Sequence, residues 1–177
     1  MVKDPDWLAY ARQQIGVREI KGPRHEPKII AWAKRAGRWL GIDVRDDETP
    51  WCGTFAAACV LHAGFDPPRI AVRAKAWASF GGPISLAATR PPLGAIAVFE
   101  RKGGGHVGFV AEVHSDGSLG ILGGNQGDAV NIRRFARHPS RTRPDLRLIA
   151  LRWPLGAPMA DSAPWATTRG VTTTGEG

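Results

Sequence analysis

The residues best suited to covalent chemistry are two cysteines, Cys52 and Cys59, within the stretch Thr-Pro-Trp-Cys-Gly-Thr-Phe-Ala-Ala-Ala-Cys at 49–59. Thr49 followed by Pro50 predicts a helix start, because Thr caps first-turn N–H groups and Pro suits the first helical position. The Ala-rich run after them predicts a buried helix. A helix start favours a thiolate, so Cys52 is placed as a nucleophile would be, and the alternative is a small buried apolar residue. Cys59, two turns deeper, is expected in the core.

A cysteine nucleophile needs a base, and five histidines compete for this role. His106 follows three glycines at 103–105 and opens a predicted strand, so small residues leave space for a ligand beside its ring. The alternative is a flexible hairpin loop that merely ends in His. The remaining candidates have ordinary explanations, such as a favourable charge at a helix C-terminus. They are His25, His62, His114 and His138.

A third residue can be derived from a predicted hairpin. The Asp-Gly pair at 116–117, between two apolar runs, predicts a two-residue turn. This register places His106 opposite Gly127. Because strand side chains alternate, Asn125 then lies on the face of His106 and Gln126 points away. The register therefore predicts that Asn125 orients the imidazole, although a bulge would exchange the two residues.

Helical periodicity dominates the first half of the chain and strand periodicity the second, which predicts an α+β fold. Besides the cysteine helix, helices are predicted at 5–16, 28–36 and 71–80. Strands are predicted at 95–99, 107–113, 118–123, 128–135 and 148–153. Residues 154–177 show no periodicity and are rich in Pro, Gly and Thr, so we expect a flexible tail after a single domain at 1–153.

With 177 residues, the chain is long enough for one domain. Its net charge is +8, from 24 Lys and Arg against 16 Asp and Glu, and much of the excess lies at 133–152. Such a stretch favours polyanions such as anionic wall polymers, and the alternative is an ordinary solvated face. The sequence contains no apolar run near the ~20 residues that span a bilayer. It shows no zinc-finger, RRM or helix-turn-helix pattern, and its acidic N-terminus lacks an apolar segment, so we expect neither a specific nucleic-acid partner nor a Sec-type signal peptide.

Three motifs, in this order and spacing, resemble one family of enzymes. They are Thr-Pro-Trp-Cys-Gly-Thr-Phe at 49–55, Gly-Gly-His-Val-Gly-Phe at 104–109 and Leu-Gly-Gly-Asn-Gln at 122–126. Together they resemble the cell-wall cysteine hydrolases of the NlpC and CHAP type. The resemblance is closest to the branch of phage lysis proteins and prophage-derived wall hydrolases, and it covers roughly residues 5–153.

This resemblance implies a papain-like α+β fold, with the nucleophile helix and the other N-terminal helices packed on an antiparallel sheet. It implies Cys52 as the nucleophile, His106 as the base and Asn125 as the third member. CHAP domains often carry Glu two residues before that Asn, where this chain has Gly123. The residues assigned to substrate binding are Trp51, Gly104 and Gly105.

The expected function is therefore peptidoglycan hydrolysis, at an amide bond of the stem peptide or at the muramoyl–L-alanine bond, without metal or cofactor. We expect a monomeric phage-type endolysin, made in the cytoplasm, that acts on the wall after release or non-Sec export. The alternatives are an exported interbacterial wall-degrading toxin, an acyltransferase of the same fold, and a non-catalytic basic wall-binding module. Turnover that depends on a single thiol separates the enzymes from the last alternative.

Overall fold

The computed structural model describes residues 3–167 of the chain. Within them it contains three α-helices, two short 3₁₀ helices and six strands. The helices are α1 (Asp6–Gln13), α2 (Pro27–Ala36) and α3 (Cys52–His62), and the 3₁₀ helices are Gly37–Leu40 and Ala74–Ser79. The strands are β1 (Gly82–Ile84), β2 (Ile96–Arg101), β3 (Gly104–Val113), β4 (Leu119–Gly123), β5 (Asn131–Phe135) and β6 (Arg147–Trp153).

The six strands form one antiparallel sheet in the order β1-β6-β2-β3-β4-β5. The predicted α+β layout, with N-terminal helices packed on an antiparallel sheet, is confirmed. Two details differ from the predictions. The helix expected at 71–80 is the six-residue 3₁₀ helix Ala74–Ser79, and the Gly-Gly-Pro stretch after it forms the short strand β1 instead of only ending a helix.

Helix α3 is the centre of the fold, and it packs against α1, α2, β3 and β4. Apart from Thr54 and the last residue, His62, its residues are apolar on every side, as expected for a helix that is covered all round. Gly53 is required near its start, because a Cβ there would lie 2.1 Å from the backbone oxygen of Ala71. The turn at 70–73 therefore packs directly on the first turn of the helix, next to Cys52.

The start of α3 lies two residues later than predicted. Trp51 is the N-cap, and Cys52 is the first helical residue. The carboxylate of Asp46 accepts a hydrogen bond of 2.6 Å from the N–H of Thr49, which forms a separate turn before the helix. Thr49 and Pro50 belong to this approach, so the predicted capping arrangement is wrong. The start at Cys52 nevertheless puts the thiol in the first turn.

The hairpin between β3 and β4 has a different register from the predicted one. Val113 pairs with Leu119, the loop contains residues 115–117, and Gly117 has a φ of +81°. Asp116 does not form a two-residue turn, because its carboxylate accepts hydrogen bonds from the N–H and hydroxyl of Ser118. A second shift occurs at a bulge between Val110 and Glu112. The predicted register is therefore wrong on both sides of the bulge.

The segment after β6 packs on the domain as far as it is described. Leu93 donates to the oxygen of Asp161 at 2.8 Å, and Val113 donates to the oxygen of Pro164 at 2.8 Å. Ala163 is fully buried. The prediction of a flexible tail from residue 154 is therefore wrong for residues 154–167, because backbone hydrogen bonds hold them. The remainder of the predicted tail lies outside the described residues.

Candidate active site

Cys52 lies at the start of α3 with 6% of its surface exposed. Burial raises the pKa of its thiol above the ordinary value, although the N–H groups of Val107 and Gly53 and the charge of Arg101 act in the opposite direction. The expected preference for a thiolate at the helix start is thus outweighed by desolvation. The effect of the Val107 N–H indicates that the sulfur lies near the strand residue that directly follows His106.

His106 lies near the start of β3, paired with Phe99 of β2. Its imidazole stacks on the ring of Phe135, with centroids 5.1 Å apart and an interplanar angle of 2°. The pKa of His106 is lowered to about 4, mainly by burial. The hydrogen bond with Gln126 raises this pKa, and the charges of Arg101 and Arg143 lower it further. The imidazole is therefore neutral at pH 7, as a general base must be.

Gln126 is the residue that contacts the imidazole. Its Oε1 lies 2.8 Å from Nε2 of His106, and only 3% of the residue is exposed. Its side-chain nitrogen donates to the oxygen of Ile121 at 3.1 Å, and to the oxygen and Oδ1 of Asn131 at 2.7 and 2.9 Å. These three acceptors determine the orientation of the Gln126 amide. If its nitrogen faced His106 instead, Oε1 of Gln126 would face the oxygens of Ile121 and Asn131, and none of these atoms could donate.

The orientation of this amide sets the tautomer of His106. Since Oε1 of Gln126 can only accept, Nε2 of His106 carries the hydrogen and donates it. The other ring nitrogen, Nδ1, then has a free lone pair and can take a proton. A third group that fixes the tautomer and direction of a catalytic imidazole is the arrangement that cysteine and serine hydrolases share.

Asn125 does not make this contact, so the predicted preference for Asn125 over Gln126 is corrected. Strand β4 ends at Gly123, and Asn125, Gly127 and Asp128 all have positive φ, at 56°, 67° and 62°. Side-chain alternation no longer applies in such a tight loop. The side chain of Asn125 lines a cavity beside the site instead.

Gly123 explains why Gln126 can reach the imidazole. A Cβ at this position would lie 2.9 Å from Oε1 of Gln126 and 3.1 Å from Nε2 of His106. This is the position where CHAP domains often carry Glu. In this chain the space beside the imidazole is occupied by the amide of Gln126, reached from the following loop, and an acceptor beside Nε2 is still present.

The three residues assigned to substrate binding have different environments. Trp51 is fully buried, and a Cβ on Gly124 would lie 2.6 Å from its ring, so the indole belongs to the core and presents no surface to a substrate. Gly105 is needed for packing, because a Cβ there would lie 2.7 Å from the oxygen of Phe99. Only Gly104 has open space, with nothing nearer to its Cβ than Arg101 at 4.0 Å.

The N-terminal segment closes one side of the site. The N–H of Glu19 donates to the oxygen of Asp128 at 3.0 Å, and Arg18 donates to the oxygen of Gly127 at 3.0 Å. Oε2 of Glu19 also accepts a bond of 3.2 Å from the indole of Trp51. The segment therefore contacts both the loop that carries Gln126 and the residue before Cys52.

Asp47, one of the acids before α3, holds the loop at 20–26 in place. Its carboxylate is fully buried and accepts from the N–H groups of Ile20 and Glu26, both at 2.8 Å, and from His25 at 2.9 Å. Burial opposes ionisation, but these bonds keep the pKa of Asp47 below its usual value. The role of Asp47 is thus structural. The sequence around Asp47 gives no indication of this role, because its hydrogen-bond partners lie in a separate loop.

A cavity of about 450 Å³ adjoins the imidazole. His106, Asn125 and Gln126 line one side, and β5 and the loop after it line the other. Its charged lining is mostly basic: Arg101, Asp116, Arg133, Arg134 and Arg143. A substrate that reaches His106 from this side meets several guanidinium groups.

Comparison with protein-family models matches residues 44–125 to the CHAP domain. Comparisons with curated proteins and with solved structures gave no match. The matched segment includes Cys52 and His106 and ends one residue before Gln126. CHAP domains are a papain-like family of cysteine-dependent peptidoglycan hydrolases. Residues 44–125 of this chain, which include the buried thiol of Cys52 and the imidazole of His106, are therefore similar to a CHAP domain.

Proposed function

We propose that this protein hydrolyses peptidoglycan, at an amide bond of the stem peptide or at the muramoyl–L-alanine bond. In this proposal Cys52 is the nucleophile, His106 is the base, and Gln126 replaces Asn125 as the residue that positions the base. The observation that carries the proposal is the hydrogen bond from His106 to Gln126, which leaves Nδ1 free in a segment that matches the CHAP domain.

The reaction begins with transfer of the thiol proton from Cys52 to Nδ1 of His106. The sulfur attacks the carbonyl carbon, and the backbone N–H of Cys52 donates to the oxyanion. The intermediate collapses to a thioester as the C–N bond breaks, and His106 gives its proton to the leaving amine. Water, deprotonated by His106, then attacks the thioester and releases a carboxylate and the thiol. No cofactor takes part in this sequence.

The two reacting groups rest as a neutral pair. The pKa of the Cys52 thiol is raised and that of His106 is lowered to about 4, so an ion pair does not form at neutral pH. Proton transfer therefore accompanies attack, as in general-base catalysis. The neutral acceptor Gln126 raises the pKa of His106 only partly against burial, whereas a carboxylate in its place would stabilise the imidazolium much more.

The biological setting we propose is that of a phage-type endolysin, made in the cytoplasm, that reaches the wall by release or non-Sec export. An interbacterial toxin with the same chemistry is the second candidate. A non-catalytic wall-binding module is a third, and the basic stretch at 133–152 supports it. Against that module stand the buried thiol of Cys52 at a helix start and the oriented imidazole of His106, which binding alone does not require.

The decisive experiment is digestion of purified sacculi, followed by mass spectrometry of the soluble fragments. The wild-type protein is expected to release fragments with one new amine per cut, and the site of that amine separates an amidase from an endopeptidase. Cys52→Ala should release none, and the matched variant Cys59→Ala should release the wild-type products. Sacculus binding without fragments from the wild-type protein would reject the proposal in favour of the wall-binding module.

A further inference from the structure

The cavity beside His106 holds an excess of positive charge that the proposed reaction does not use. Of its charged lining residues, Asp116 and Arg134 form an ion pair of 2.5 Å and offset each other. The other three, Arg101, Arg133 and Arg143, contact no carboxylate within residues 3–167. Three guanidinium groups thus face one small cavity without an anion.

This excess is not a general property of the arginine-rich stretch. Arg137 donates to the backbone oxygens of Gly117, Ala88 and Thr89 at 2.7–2.9 Å. Arg152 donates to the oxygens of Phe80 and Gly81, and Arg147 pairs with Glu100. These arginines hold the fold together, and the unpaired ones at the cavity form a distinct group.

The elements that carry the three arginines are held in place. Arg101 ends strand β2, where it pairs with Gly104. Arg133 lies on β5, and its guanidinium packs over Gly127, where a Cβ would approach it to 2.8 Å. Arg143 lies on the loop at 136–146, whose backbone is closed by bonds of 3.2 Å between Ser140 and Arg143.

The field of these groups reaches the reacting atoms. Arg101 lowers the pKa of both Cys52 and His106, and Arg143 lowers that of His106. A bound anion would offset this charge beside the imidazole. The cavity of about 450 Å³ admits an amino-acid side chain or chain terminus but not a folded polymer.

We propose that this cavity is a carboxylate subsite, in which Arg101, Arg133 and Arg143 bind the free carboxylate of an acidic residue of the stem peptide close to the cleaved bond. Guanidinium groups bind carboxylates through paired, charge-assisted hydrogen bonds, which explains why arginine and not lysine lines the cavity. The inference rests on the proposed function and adds the class of substrate: peptides with a free acidic group rather than its amide.

The test measures binding by calorimetry in a Cys52→Ala background, which removes turnover. The probes are two synthetic stem peptides that are identical except that the acidic residue carries a carboxylate in one and a carboxamide in the other. We expect the acid to bind about 10-fold or more tightly than the amide. Arg143→Gln should reduce this preference to about 3-fold or less, and the matched control Arg141→Gln, on the same loop but outside the cavity lining, should preserve it.

Equal binding of the two peptides, absence of binding by both, or the same preference in the Arg143 and Arg141 variants would overturn the subsite. A short polyglycerol phosphate serves as a further probe. If it bound more tightly than the acidic peptide and this binding depended on Arg143, the subsite would also be overturned, because the cavity would then bind a wall polymer. Thermal melting of each variant confirms folding, and Arg101→Gln serves as the second variant. Failure of the proposed function looks different: the acid preference remains, but the wild-type protein releases nothing from sacculi.

Discussion

Removal of the Gln126 side chain is the sharpest test of how the site works. Gln126→Ala leaves Nε2 of His106 without its acceptor at 2.8 Å, so the imidazole can adopt either tautomer and rotate. Cys52 and the base remain present but poorly aligned. The perturbation therefore removes positioning without removing either reacting group.

The size of the effect follows from the contacts that are lost. Loss of a positioning residue should lower kcat by about 10- to 1000-fold, equivalent to roughly 1.4–4 kcal/mol in the barrier. The side-chain nitrogen of Gln126 also meets three acceptors at 2.7–3.1 Å, from Ile121 and Asn131. Each buried acceptor left without a partner costs about 1–3 kcal/mol of stability, less where water enters.

The assay compares initial rates on purified peptidoglycan at pH 7 with circular dichroism of the same samples. The control is Asn125→Gly, because glycine suits the positive φ of 56° while removing the neighbouring amide. We expect a folded Gln126→Ala with a large loss in kcat, and a nearly active Asn125→Gly. A folded, fully active Gln126→Ala beside an inactive Asn125→Gly would refute this reasoning and restore Asn125 as the third member.

Three further predictions follow. Cys52→Ser should fold and lose several powers of ten in kcat, whereas Cys59→Ala should keep its rate and lose stability, measured by urea unfolding. With a pKa near 4 for His106 against 6.5 for the free group, the acid limb of kcat/KM should lie well below pH 6.5. As the pH falls, His106 is protonated in the unfolded chain before it is protonated in the folded protein. The free energy of unfolding should therefore fall between pH 6.5 and about 4, and this group should not affect it above pH 6.5. If His106→Gln left the pH dependence of the free energy of unfolding unchanged, as measured with urea, this prediction would be contradicted. Gly53→Ala should destabilise the fold strongly, because its Cβ would lie 2.1 Å from a backbone oxygen, whereas Gly82→Ala, with 3.6 Å to its nearest contact, should be mild in thermal melts.

The sequence by itself determined most of the order of elements, with the exception of strand β1, and the place of Cys52 and His106 on them. The Ala-rich apolar run after Trp51 favours a buried helix, and the apolar run after His106, which lies between glycines and a turn, favours a strand, because both patterns depend on near neighbours in the chain. For the same reason the thiol of Cys52 could be placed at a helix start. The end of that helix before Gly64 was also predictable, since glycine there adopts a φ of +85°.

Only the tertiary structure decided which residue orients the base. A carboxylate on Asp116, bound to Ser118 and Arg134, enlarged the hairpin loop by one residue, and a bulge beyond Val110 shifted the register again. Each shift exchanges the two faces of the strand, so the two together return Asn125 to the face of His106. Strand β4 ends at Gly123, however, and Asn125 has a φ of 56°, so side-chain alternation does not extend to these residues. The choice between Asn125 and Gln126 therefore could not be derived from spacing.

The same limit applies to the basic cavity and to the segment after β6. Whether an arginine is paired depends on acceptors that are distant in the chain: Arg137 bonds to Thr89, and Arg143 meets no carboxylate among the described residues. Ala163 is buried because its N–H reaches the oxygen of Pro91 at 2.8 Å, although its surroundings in the sequence resemble a linker. Composition and hydrophobic periodicity indicate which secondary structure each segment can form by itself. Contacts between distant segments depend on the tertiary structure and are determined only when the chain has folded.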